Sequence, residues 1–444
     1  MFAAMPFGAT AVFSANGIGN VLLLDFCAIA YVLAVVIRIK LDRVVASLWP
    51  GTPGFLLLVL CVIILLGAYF LPRIFADRAA VYLIQSVDGR LFIDLAPLVP
   101  SAAQPAQAIR FLLGALVFFA VSVVEWRSGD GLLILRAVCV ASFLHVSVSL
   151  LDWVSYPIGF AQVLDRIRTV HQAILVDQHF GSVRRLIGGH TEPASFGLYT
   201  VGLYGFWLRY WFGNMRSFAA GVMMFAMLIL ALRSTSSATI ANVILFSSAF
   251  LMWHAVADAI SQRRFGIYVC LLGALPALVS GMWIWIEFSA TAHTLVEVLF
   301  LDKALSDSGQ ERFSWNAQAL SNFSESFGLG LGIGSVRASG FGFAVLGNLG
   351  WPGALVFGWF LFRVLRPPAT KPPFQSECFE LASALRCGCL AVLCQSALTT
   401  PYPNPGLPFF IMCGLAVGLD QMAAASAGNP SAAQSKSYQF LVRS

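Results

Sequence analysis

Charge is what this sequence has least of. Lys, Arg, Asp and Glu supply only 11% of its 444 residues, against roughly 25% in a soluble chain, while 59% are hydrophobic and the mean hydropathy is +0.81. That balance excludes an ordinary water-soluble fold and places the chain in a bilayer, where each spanning helix consumes ~20 apolar residues. A disulfide framework is also missing. Cys27, Cys61, Cys139, Cys270, Cys394 and Cys413 sit inside apolar runs, where a thiol behaves as a small hydrophobe. Cys378, Cys387 and Cys389 cluster, but no His or acid stands at ligand spacing beside them, so no metal is expected. The first cation is Arg38, so no basic region marks a cleavable leader. Despite a net charge of +6 the cations form no stripe, which argues against a nucleic-acid partner. No Asp-x-Asp pair is present to hold a metal-bound nucleotide sugar, and no fixed-period repeat emerges of the kind common in transporters.

What is present is a series of apolar windows. They predict an all-α, polytopic transmembrane bundle of about 11 spans, with roughly 10–12 compatible, near 20–37, 55–71, 109–125, 131–151, 192–211, 217–232, 238–258, 266–288, 341–362, 380–399 and 406–422. Residues 2–18 are apolar but broken by Pro6, Gly8, Asn16 and Gly17, which fits a re-entrant or surface piece as well as a further span. Residues 1–422 thus read as one integral-membrane domain, and 423–444, rich in Ala, Ser and Gln, as a disordered cytoplasmic tail. Short loops place Arg38, Lys40, Arg43, Arg127, Arg209, Arg216, Arg263, Arg264, Arg363, Arg366 and Lys371 on one side, the cytoplasm by the positive-inside rule. Three long segments, 72–108, 152–190 and 289–340, then fall outside, and Trp153, Tyr156, Phe180, Phe313 and Trp315 within them favour a packed cap.

The informative polar chemistry lies in two of those segments. One runs from Arg184 and Arg185 through Gly188-Gly189-His190-Thr191-Glu192-Pro193 into a span. Arginine forks and free amides at a helix N-terminus suit a phosphate-bearing anion; the same residues also read as headgroup anchors and a capping acid. The other supplies Lys303, Glu311, Arg312 and Trp315, then Gly328, Gly330, Gly332 and Gly334 at alternate positions, then Arg337. Such glycines permit close backbone approach, to a ligand or to another part of the chain. No Gly-Lys-Ser/Thr follows them, so they are not a phosphate loop. Salt bridging with Asp302, Asp307 or Glu311 is the alternative use for Arg312 and Arg337. Arg233-Ser-Thr-Ser-Ser237 reads as a helix end with its C-terminal cation.

Taken in order, Gly189-His-Thr-Glu-Pro-Ala-Ser-Phe-Gly197, the Ser234–Ser237 turn, and Arg312 through Trp315 to Gly328–Ser339 and Gly347-Asn-Leu-Gly350 resemble the O-antigen polymerase and O-antigen ligase superfamily, in its exopolysaccharide polymerase branch. The resemblance covers roughly residues 110–420. It implies a GT-C-like membrane glycosyltransferase that needs no metal or other cofactor and works at the outer face of the bacterial inner membrane. Its substrate would be an undecaprenyl-diphosphate-linked oligosaccharide, and its partners chain-length regulator and export proteins. Arg184 or Arg185 and Arg312 take the place of the family's external-loop arginines. Where ligases of the family carry a functional His after the glycine run, this chain has Arg337 and Ser339, which favours polymerase over ligase. The reading that results is a polymerase with Arg184, Arg185, Arg312, Arg337 and Lys303 on the diphosphate, and Glu192 or, second, His190 as base. A glycan ligase is the alternative and a lipid or polysaccharide transporter the more distant one.

Overall fold

The computed structural model describes residues 1–15, 19–87, 90–127, 129–170, 174, 178–180, 183–213, 217–261, 307–367 and 376–427. Among them are twelve α-helices: α1 Leu23–Val36, α2 Leu41–Ser47, α3 Pro53–Ile74, α4 Ala103–Val123, α5 Asp130–Ser155, α6 Pro193–Phe212, α7 Phe218–Arg233, α8 Ser237–Ser261, α9 Asp307–Glu325, α10 Phe341–Leu365, α11 Ser376–Thr399 and α12 Leu407–Ala427. The protein is an all-α polytopic membrane protein. Six helices, α3, α4, α5, α8, α10 and α11, are long and apolar enough to cross a bilayer, and α1, α7 and α12 hold shorter apolar stretches. A helix underlies each span expected from the sequence except 266–288, which lies outside the described residues. The last helix continues past residue 422 to Ala427.

The N-terminal segment forms no span. Its β1 (Ala11–Ala15) and β2 (Gly19–Leu22) make an antiparallel hairpin leading straight into α1. Two more hairpins occur outside the helices, β3 (Ala80–Val87) with β4 (Arg90–Pro97), and the very short β5 (His179–Phe180) with β6 (Val183–Arg184).

Burial explains the arrangement. α6 is buried on nearly every face, as a helix apolar all round must be. It approaches α11 closely where Gly202 and Gly388 let the two backbones meet, the small-residue contact that membrane helices favour. α4, α10 and α12 lock through edge-to-face rings, Phe111 against Phe357 and Phe410 at 5.9 and 5.3 Å, and Phe118 against Phe360 at 5.5 Å. Alternating helix directions create two ends. The cap end gathers the C-termini of α3, α5, α7 and α11 with the N-termini of α4, α6, α8, α10 and α12; at the opposite end Arg43 meets Glu125 (3.1 Å) and Arg209 meets Glu380 (2.7 Å).

α10 is broken inside its length. Gly350 adopts φ 63 with an extended ψ, and Pro352 follows, so the carbonyls of Gly347 and Asn348 lose their helical partners. Leu331 and Gly332 donate their N–H groups to those two carbonyls at 2.9 Å each. Asn348 closes the junction: its side-chain amide donates to the Val336 and Ala344 carbonyls (2.8 Å each) and accepts from the Val336 N–H at 3.1 Å. The four alternating glycines all take positive φ. Gly332 abuts the Gly67 carbonyl of α3, and Gly334 that of Ala103. The close approach they permit is therefore to neighbouring protein backbone, which is the packing alternative offered by the sequence.

Candidate functional site

The cap end is organised around an acid. Asp152, in the last turn of α5, is fully buried and paired with Arg168 (2.9 Å) and Arg184 (2.7 Å). Its second oxygen accepts from the N–H groups of Ile187 (3.1 Å) and Gly188 (2.9 Å). Arg168 also donates to the Gly188 carbonyl through Nε at 3.0 Å, and the Arg184 guanidinium stacks on Tyr156 at 4.4 Å. Arg233 joins by donating to the Arg184 carbonyl (2.8 Å) while lying over Trp153 at 5.2 Å. A buried carboxylate is tolerated only when charges and hydrogen bonds compensate it, and here two guanidiniums and two amides do so.

This network fixes the path of 184–190 and thereby sorts its charged residues. Arg184 is held by Asp152 and Tyr156. Arg185 faces elsewhere. Its Nη1 donates to Gln178 Oε1 (3.1 Å), and its Nε is buried without a hydrogen-bond partner. Burial pulls its guanidinium below the usual value, the nearby Arg312 adds to that, and Glu192 opposes it. Arg185 therefore feels a cation and a carboxylate that come from different stretches of the chain. No pair among the three closes to ion-pair distance. Glu192 is exposed and stands at the N-cap of α6, with Pro193 in the first turn, where the missing N–H costs nothing.

Arg312 sits on α9 one turn before Trp315, and Arg337 stacks on Trp315 at 4.6 Å with its own Nε buried and unpartnered. Asn316 Oδ1 accepts from the Ser339 N–H (2.7 Å), which ties the chain after the glycine run to α9. Trp315 in turn lies 6.5 Å from Tyr82 of β3. Lys303 lies outside the described residues.

His190 is placed differently from Glu192. It is buried beneath the N-terminal segment, where the Gly8 backbone lies against its ring and the Ala9 N–H donates to the Gly189 carbonyl at 2.8 Å. His145, Phe196 and Tyr199 surround it at 6.0, 6.0 and 5.5 Å. Burial, helped by Arg168, lowers its pKa to about 4. At neutral pH it is uncharged and shielded.

Asp152 and Arg168, which shape the site, carry no motif. The available signal was an acid ending an apolar run, Leu150-Leu151-Asp152-Trp153, ahead of an arginine-rich segment. His145 lies within α5, its Nε2 bonded to Thr200 Oγ1 at 2.9 Å and its Nδ1 buried without a hydrogen-bond partner. Among the described residues no group of three or more His, Cys, Asp or Glu side chains could hold a metal ion. No protein-family model matches the chain, and no curated protein matches it.

Proposed function

We propose that the chain is a membrane glycosyltransferase, a polysaccharide polymerase of the O-antigen or exopolysaccharide type. In this reading it extends a glycan from undecaprenyl-diphosphate-linked repeats, in the bacterial inner membrane with the cap facing the periplasm. The observation that supports the reading is Arg185, whose Nε is buried without a hydrogen-bond partner and which feels both a second cation, Arg312, and the exposed carboxylate of Glu192; among the described residues neither arginine has an acid at ion-pair distance. A lipid diphosphate suits the two guanidiniums, and Arg337 beside Trp315 extends the cationic surface along α9.

The chemistry follows from charge. An acceptor sugar hydroxyl attacks the anomeric carbon of the donor; the new C–O bond forms as the bond to the diphosphate oxygen breaks. Glu192 takes the hydroxyl proton, and the negative charge arriving on the diphosphate is met by Arg185 and Arg312. Bonds to the diphosphate strengthen as that charge develops, so they lower the barrier. Each contributes about 1.5–3 kcal/mol. A single displacement of this kind inverts the anomeric centre. His190, neutral and sealed under the N-terminal segment, serves to support the loop in this scheme.

Complementation of a deletion strain tests the proposal. Arg185→Ala, Arg312→Ala and Glu192→Gln, each at normal membrane level, should cut long polymer by roughly 10- to 100-fold per site and leave single lipid-linked repeats. Arg43→Ala at the opposite end should not. Full-length polymer from all three cap variants would overturn the assignment, and long unattached chains in the deletion strain would point to a ligase.

A further inference from the structure

α9 has two faces, and the function proposed above uses only one. Arg312, Asn316, Ala319, Asn322 and Ser326 lie toward the protein, with Ala319 and Asn322 completely buried. On another side Phe313, Leu320 and Phe327 are 77%, 42% and 87% exposed. Seven-residue spacing stacks Phe313 and Leu320 on one side of the helix, and Phe327 follows in the turn just past its end. Phe327 adopts φ 54, a left-handed conformation that bulky residues rarely take, and does so while presenting its ring outward. In water neither feature has a compensation.

The ridge continues the exposed apolar face of a helix long and apolar enough to cross a bilayer. The Phe327 end of α9 meets α10 at Trp351, whose N–H donates to the Gly328 carbonyl at 2.9 Å and whose ring lies against Gly328. Trp351, Leu355, Trp359 and Phe362 form the exposed ridge of α10, a membrane-spanning helix. Depth agrees. Gly332 abuts Gly67, which lies about 10 Å below the cap end of α3 at 1.5 Å of rise per residue. The segment leaving α9 therefore descends below the level at which its neighbours end, and its non-helical backbone is covered by α3, α4 and the broken α10, as irregular backbone at membrane depth must be.

We propose that α9 is a half-inserted helix, with the Phe313–Leu320–Phe327 ridge seated in the hydrocarbon of the leaflet at the cap end. Its adjoining face then holds Arg312 at headgroup height. Insertion of the ridge sets the depth of that guanidinium. The lipid contact itself does not depend on the proposed sugar transfer.

The full-length protein in nanodiscs of phosphatidylcholine and phosphatidylglycerol provides the test. The photoreactive residue p-benzoylphenylalanine is placed singly at 313, 320, 327 or, as control on the polar side of α9, at 311. After irradiation, peptides carrying the first three positions should gain the mass of one phospholipid, in clear excess over position 311. Adducts with protein, whether a second copy, another segment of this chain or a different polypeptide, would overturn the proposal. So would the absence of lipid adducts at 313 and 320.

Discussion

The two ends of the molecule leave different arginines unmatched. At the end away from the cap, Arg43 and Lys40 share Glu125, Arg209 faces Glu380 and Arg386 faces Asp420, while Arg38, Arg127, Arg363 and Arg366 have no acid at ion-pair distance among the described residues and are all exposed. At the cap, Asp152 alone serves Arg168 and Arg184, while Arg185, Arg312 and Arg337 have no acid within ion-pair distance among the described residues. Water solvates the exposed set, whereas the buried Nε groups of Arg185 and Arg337 have no hydrogen-bond partner. Holding Arg185 partly buried near Arg312 is costly, and the anion of the proposed function would offset that cost.

If the Asp152 network builds the cap, removing its acid should be the most damaging single change. Asp152→Ala leaves Arg168 and Arg184 buried without their counter-charge, a loss of about 3–5 kcal/mol for a broken buried pair. The corresponding change at the other end, Asp420→Ala, removes a more exposed acid from Arg386 and should cost less. Thermal unfolding of both variants in detergent checks the order, and equal losses would remove the contrast between the ends.

Acidity should open the cap before it affects the rest. His190 is held near pKa 4 in the folded protein, against an ordinary value of 6.5, so the unfolded chain takes up the proton first. The sign follows: the stability associated with the neutral ring is complete above pH 6.5 and is lost as pH falls toward about 4. The full amount is on the order of 3 kcal/mol. Hydrogen-exchange protection, corrected for the intrinsic rate at each pH, should fall between pH 6.5 and 5 at Ala9 and around Gly189 while α4 and α12 stay protected. His190→Gln should remove that dependence. An unchanged exchange pattern in the wild type would separate the cap from its histidine.

A smaller contrast concerns glycine. Gly332 has φ 90 and faces the Gly67 carbonyl, where a methyl group would lie 2.5 Å from the oxygen; Gly129, at the opposite end, has open space around it. Gly332→Ala should cost about 1–3 kcal/mol through left-handed strain and displaced backbone. Gly129→Ala should be close to neutral. Unfolding midpoints measure both, and a neutral Gly332→Ala would mean that the loop is not wedged against α3.

These particulars show what was legible beforehand. Helix positions followed from apolar windows because bilayer thickness fixes their length. Three things did not follow. Arg184 and Arg185 are adjacent and chemically alike, and only the position of Asp152 in space separates the one held inside from the one left unmatched. His190 and Glu192 are two residues apart, yet the N-terminal segment covers the first and leaves the second exposed, a contact between distant parts of the chain that no local pattern announces. The glycine run spelled close approach without naming what approaches, because the break in α10 that receives it arises from Gly350 and Pro352 further on.

The weakest expected effect belongs to the exposed pair at the end away from the cap. Arg43 and Glu125 lie 3.1 Å apart, with Lys40 at 3.9 Å from the same carboxylate, and their side chains are 40%, 60% and 67% exposed. Solvent screens such a pair, and the entropy of holding long side chains offsets much of the attraction, so Glu125→Gln should change stability by only about 0.2–1 kcal/mol, less at high salt. Its effect on polymer formation should be nil, since none of the gathered charges at the cap lies near it. A variant at Glu125 that stopped chain growth while keeping normal membrane levels would mean that the two ends are coupled, and the division of labour drawn between the exposed charges of one end and the buried ones of the other would no longer hold.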